Sequence, residues 1–241
     1  MSQIICMWSG PRNLSTAMMR SFENRADCAV WDEPYFAPFL KITGKDHPGR
    51  AETLSAHEND PSKVAQACLN PAPTGEPYYF QKHMPHHMVK GFDLSWMKQA
   101  KHFLLIRHPA AVIKSYAKGR AQFDVSDIGL LQQLEFYENI TAFQNNIPII
   151  DSAQFLTDPE GHLRTLCSTL SIPFDAAMLS WPKGPRETDG AWAPYWYASV
   201  ENSTGFGPPR ETATTVAPQY QKILDATLPA YETLFEKRLI P

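Results

Sequence analysis

Residues 4–22 read Ile4-Ile5-Cys6-Met7-Trp8-Ser9-Gly10-Pro11-Arg12-Asn13-Leu14-Ser15-Thr16-Ala17-Met18-Met19-Arg20-Ser21-Phe22. A short, uninterrupted apolar strand runs into a Gly/Ser/Thr turn, and a helix starts at once. α/β proteins build anion sites this way: the free N–H groups of the first helical turn converge, and the helix dipole adds partial positive charge. Arg12 brings a full charge, and Ser15 and Thr16 bring hydroxyl donors. The stretch therefore predicts a phosphate cradle, although an ordinary helix start with an incidental arginine has the same residues.

The stretch departs from the nucleotide-triphosphatase P-loop, whose Gly-x-x-x-x-Gly-Lys-Ser/Thr needs a lysine for the terminal phosphates and a hydroxyl for magnesium. Here Leu14 stands where a second glycine is expected, no lysine precedes Ser15-Thr16, and the cation comes earlier as Arg12. A guanidinium holds two anionic oxygens in a fixed fork and does not deprotonate, so the pattern suits a phosphate gripped without metal.

The chain has 241 residues, 43% hydrophobic and 20% charged. Those values are globular and fit one domain with a substantial core. A net charge of -3 argues against a general nucleic-acid binder, which needs excess Lys and Arg to displace counterions. Cys6, Cys28, Cys68 and Cys167 have no metal spacing and read as reduced structural thiols. No apolar run approaches the ~20 residues of a bilayer span, and no signal peptide is expected ahead of the first strand. A cytoplasmic protein without a membrane partner is expected.

Continuous apolar runs at 4–8, 103–106 and 147–150, with weaker ones at 28–31 and 78–81, predict strands buried on both faces. Helical periodicity follows at 14–25, 61–70, 109–121, 127–145, 159–171 and 218–238. Strand–helix alternation predicts an α/β fold: three layers, with a doubly wound, mainly parallel sheet between helices and ligands at the carboxyl ends of the strands. Residues 42–60 are polar and read as a surface insertion or lid. Residues 181–210, with five prolines, four glycines and a dense aromatic run, read as a long loop of the kind often tied to function. The whole chain, 1–241, is expected to form a single domain.

Chemistry-bearing residues recur at the strand ends. Arg107 closes the 103–106 strand, Pro109 suits a first helical turn, and Ser115 lies two turns further on, so Arg107 and Ser115 can grip one phosphate from two sides. Asp32 and Glu33 follow the candidate strand at 28–31, and Lys82 and His83 follow the one at 78–81. Their ordinary reading is caps and solvated ends. The sharper one is a general base in Glu33 or His83 and, in Lys82, a cation aimed at developing charge. All four clusters project from the same edge of one sheet.

Taken together these residues resemble the superfamily of sulfotransferases that use 3′-phosphoadenosine 5′-phosphosulfate (PAPS), in its bacterial and tyrosylprotein-type branch. Gly10-Pro11-Arg12-Asn13-Leu14-Ser15-Thr16 resembles its 5′-phosphosulfate loop, and Arg107 with Ser115 its 3′-phosphate pair. Glu33 resembles the strand-end base, and Lys82 the lysine that contacts the transferring group. Arg210, in a Gly-containing segment 203–210, resembles a cofactor-clamping residue. The resemblance spans residues 4–116 in order and loosens beyond. It implies PAPS as donor, 3′,5′-adenosine bisphosphate (PAP) as product, no metal, and a small-molecule hydroxyl or amine acceptor, with Arg12, Lys82, Glu33 and His83 as candidate catalytic groups. Trp192, Tyr195 and Trp196 are candidate acceptor contacts, as a pocket lining or a cage for an ammonium group; anchoring of the long loop is the plainer role. A metal-dependent P-loop kinase and a non-catalytic nucleotide-binding module remain the alternatives.

Overall fold

The computed structural model describes residues 2–120, 122–209 and 212–241. Five strands form one all-parallel sheet in the order β2-β3-β1-β4-β5. They are β1 (Gln3–Ser9), β2 (Cys28–Asp32), β3 (Tyr78–His83), β4 (Lys101–Ile106) and β5 (Ile149–Asp151). The chain leaves β1 for β2 and β3 on one side and reaches β4 and β5 on the other. The crevice at the carboxyl end of β1 is thus a topological switch point, where open α/β sheets bind ligands.

Alternation along the strands fills two cores. Ile4, Cys6, Trp8, Leu104 and Ile106 face α4 (Pro61–Ala67), α5 (Pro109–Tyr116), α7 (Leu130–Thr141) and α12 (Gln221–Phe235). Ile5, Met7, Phe80, Phe103 and Leu105 face α1 (Ser15–Glu23) and α9 (Pro159–Leu170) on the other side. Both faces are covered, which is why the strands read as unbroken apolar runs.

The expected helix over 127–145 is two helices, α6 (Val125–Ile128) and α7, because Gly129 between them has φ 76°. No sign in the sequence marks α2 (Phe36–Thr43), whose Phe36, Phe39 and Leu40 are buried, or α3 (Arg50–Ala56) within the polar 42–60 segment. The 181–210 stretch is also not structureless. It contains α10 (Ala193–Trp196) and α11 (Ala198–Glu201) and buries Trp192 and Tyr197 against Phe36, Phe39 and Leu40. A four-residue helix, α8 (Ser152–Phe155), follows β5.

Candidate active site

The β1–α1 turn owes its shape to Asn13 and Arg12. The Asn13 carboxamide donates to the Leu105 carbonyl at 2.8 Å and accepts from the Leu14 N–H at 2.9 Å, tying the turn to the end of β4. The left-handed position falls on Arg12, with φ 54°; Leu14 has φ -78°, so no glycine is required there. No side chain caps the first turn of α1, leaving its N–H groups to a ligand in the cavity that Ser15, Thr16 and Ala17 line.

That cavity, about 430 Å³, is walled by residues from every strand end named in the sequence. Arg12 and Arg107 share it. The Arg107 guanidinium donates to the Arg12 carbonyl at 2.5 Å, while Arg12 Nε donates to Ser115 Oγ at 3.1 Å. Ser115, which lines the same cavity as Arg107, is thus bonded to Arg12. Pro109 occupies the first turn of α5, capped by the His108 side chain. Gln133 of α7, which carries no sequence signal, donates to the carbonyls of Trp8 and Leu105, both at 2.9 Å. It holds β1 and β4 together where the cavity opens.

The opposite end is organised around Lys82, whose side chain is 1% exposed. Its ammonium donates to Asp32 at 2.9 Å, Glu33 at 2.7 Å and the Tyr197 hydroxyl at 2.6 Å, with Thr16 Oγ1 at 3.4 Å. Asp32 is not the expected solvated cap. It is buried, and its second oxygen accepts from the Tyr197 hydroxyl at 2.6 Å and the Gly190 N–H at 3.3 Å. Trp192 Nε1 donates to the same hydroxyl at 3.0 Å. Glu33 sits at φ 42°, fixed by its N–H to the Lys82 carbonyl at 2.9 Å and by its carbonyl to the Phe36 N–H at 3.0 Å. Unusual backbone held by its surroundings concentrates at functional positions. The strained turn aims the Glu33 carboxyl into the cavity. Oε2 lies 3.8 Å from His87 Nδ1, beyond hydrogen-bond reach.

Charge is unbalanced here, with two carboxylates to one ammonium. Burial works against a charged Lys82, but the fields of Asp32 and Glu33 outweigh it and raise its pKa well above the usual value. Burial raises Glu33; Lys82 lowers it and Asp32 raises it, and the net shift is upward. Burial also holds His87 well below its usual range, and takes His86 down to about 4.

Several expected contributors lie elsewhere. His83 points away from Lys82 into the opposite core: it is 1% exposed, stacks on Trp8 at 4.6 Å, meets Gln81 Oε1 at 3.2 Å and is pushed down to about 3 by burial and by His102. It does not line the cavity. Gly10 is behind the wall, its Cα so close to the Ile128 carbonyl that an added Cβ would lie 2.9 Å from it. Tyr195 is 48% exposed and packs on Gly49. Trp192, Trp196 and Tyr197 are cavity residues, joined by Phe36, His47 and His87. Arg210 lies outside the described residues. Among the described residues no three His, Cys, Asp or Glu side chains converge to hold a metal ion, and no helix is long and apolar enough to cross a membrane.

Fold and site together define an α/β protein with two arginines and an uncapped helix start at one end of its cleft and a buried carboxylate–lysine cluster at the other. The chain belongs to the sulfotransferase-domain family, whose sequence model matches residues 2–238. Branched-chain-amino-acid aminotransferase-like proteins 2 and 1 of Arabidopsis thaliana are each 38% identical over 232 residues, 96% of this chain and 41% of theirs. The chain thus spans about two fifths of the length of those curated relatives. The sulfotransferase domain of the Synechococcus PCC 7002 olefin synthase has a similar fold (TM-score 0.56, 17% identity, 100% of this chain and 96% of that one). So does the sulfotransferase domain from the curacin biosynthetic pathway (TM-score 0.53, 15% identity, 100% and 99%).

Proposed function

We propose that this chain transfers a sulfuryl group from PAPS to a hydroxyl or amine of a small acceptor, with Glu33 as the base. The observation that carries the reading is the meeting of Arg12, Arg107 and an uncapped α1 in one cavity that also receives Glu33. A doubly phosphorylated adenosine fits that donor set. The first turn of α1, with Ser15 and Thr16, would hold the 5′ group, and Arg107 with Ser115 the 3′ phosphate. Bound there, PAPS supplies the sulfuryl group, whose bond to the 5′-phosphate oxygen breaks as a bond to the acceptor atom forms.

The chain's own residues position groups and move one proton. Glu33 takes the acceptor proton, a role worth about 10²–10⁴-fold. Lys82, with its three short bonds already made, fixes the Glu33 carboxyl and lends positive field toward Thr16. Arg12 neutralises charge on the leaving side. The α1 turn and α5 align donor and acceptor, and alignment accounts for much of such a rate enhancement.

Glu33→Gln is the test. Sulfuryl transfer should fall by at least about 10²-fold, with affinity for PAP unchanged by titration calorimetry. Equal loss of transfer and affinity would make Glu33 structural and remove the mechanism.

A further inference from the structure

Beyond the carboxylates, the acceptor end of the cavity is built of rings. Phe36 stacks on His87 with centroids 4.6 Å apart and meets His47 and Trp192 edge-on, each at 5.0 Å. Trp196 closes the ring over His47 at 5.4 Å. Phe36, His47, His87, Trp192 and Trp196 all line the same space as Glu33. Two of them also carry buried polar atoms without a partner, His87 Nδ1 and Trp196 Nε1; the whole His87 residue is 4% exposed.

The charge at this end is negative. Asp32 and Glu33 share one ammonium. Two cations stand near His47: Lys45, paired with Asp127 at 2.5 Å, and Arg120, whose guanidinium reaches out to the Asp46 carbonyl at 3.5 Å. Neither lines the cavity, and burial lowers the pKa of both His47 and His87. An anionic acceptor would meet an uncompensated carboxylate in a desolvated pocket. A neutral one would leave the imbalance as it is. A cation would complete the charge balance and find aromatic faces suited to it.

We propose that the acceptor is an alcohol bearing a positive charge, a protonated or quaternary amino alcohol, with its cation among Phe36, Trp196 and Trp192 and its hydroxyl between Glu33 and His87. The proposal rests on the sulfotransferase reading and specifies its substrate class. Glu33 Oε2 and His87 Nδ1 stand 3.8 Å apart, a gap that one hydroxyl oxygen bridges with an ordinary hydrogen bond to each side. The positive charge also does chemical work: it favours the ionised form of Glu33, the form that accepts a proton, so the substrate itself helps to prepare the base.

The test uses choline, its uncharged carbon isostere 3,3-dimethylbutan-1-ol, and anionic 3-hydroxypropanoate. Each is titrated into the full chain saturated with PAP and assayed for sulfuryl transfer from PAPS. Choline should bind and react about tenfold better than the isostere, the scale of a desolvated cation–π contact, and the hydroxy acid should be poorest. Trp196→Leu should reduce the choline-to-isostere ratio, and PAP affinity should stay unchanged. An isostere or hydroxy acid equal to choline, or no binding of choline to PAP-loaded protein, overturns the proposal and leaves the sulfotransferase reading standing. Failure to bind PAP at all overturns that reading instead.

Discussion

Two carboxylates and one ammonium share the space at the ends of β2 and β3, and that imbalance governs how Glu33 titrates. Its raised pKa has a definite sign for activity. The base must be ionised, so kcat/KM falls as pH drops, with a midpoint above the ordinary Glu value of about 4.3. A pH profile with its acid limb at or below that value contradicts the assignment. Lys82→Met removes the cation and leaves Asp32 and Glu33 facing each other in a buried site. It should cost about 3–5 kcal/mol in chemical denaturation, the usual cost of breaking a buried pair on one side. A loss under about 1 kcal/mol would mean that solvent screens the cluster. Arg12, Arg107, Ser115, Glu33 and Lys82 could be picked out from sequence because each sits at a strand end or on the helix that follows. His87 and Phe36 could not, because Phe36 opens α2, a helix without a sequence signature, and His87 lies in the short turn after β3, and only tertiary packing brings them to the site. His83 had a usable signal: side chains alternate along a strand, so in β3 Lys82 and His83 must face opposite ways.

At the scale of elements, the cavity rim depends on how α6 gives way to α7. Gly129 holds the junction at φ 76°, and a Cβ there would lie 3.1 Å from His86 Nδ1 and 3.6 Å from both Gly10 Cα and Pro11 Cδ. The left-handed backbone costs an L-residue about 1–2 kcal/mol. Gly129→Ala should therefore lower the unfolding free energy by about that amount, read from the denaturation midpoint; an unchanged midpoint would show that the junction relaxes freely. The sequence showed helical periodicity on both sides of Gly129, and that periodicity concealed the break. It also hid α2: with little polar alternation between Phe36 and Leu40, the apolar run carried no amphipathic signature. In the structure that run is buried against the segment carrying Trp192 and Tyr197, a partner more than 150 positions away in the chain.

For the whole molecule, strand–helix alternation was enough to give the α/β class and to point to the strand carboxyl ends, where the cavity lies. The strand order was not legible, because it depends on where each crossover returns, and the crossovers of β2 and β3 carry no local signal of side. The order nonetheless decides function, since it brings the β1–α1 turn and the end of β4 together and so places Arg12 beside Arg107. The same contact suggests the most direct measurement: titration calorimetry of PAP and of adenosine 5′-phosphosulfate, which lacks the 3′ phosphate, against the unsubstituted chain and Arg107→Ala. Arg107→Ala should weaken PAP by about 10–150-fold, the loss of one charge-assisted contact, while hardly changing the 5′-phosphosulfate. Equal weakening of both ligands, or no binding of PAP by the unsubstituted chain, would contradict the placement of a 3′ phosphate at Arg107.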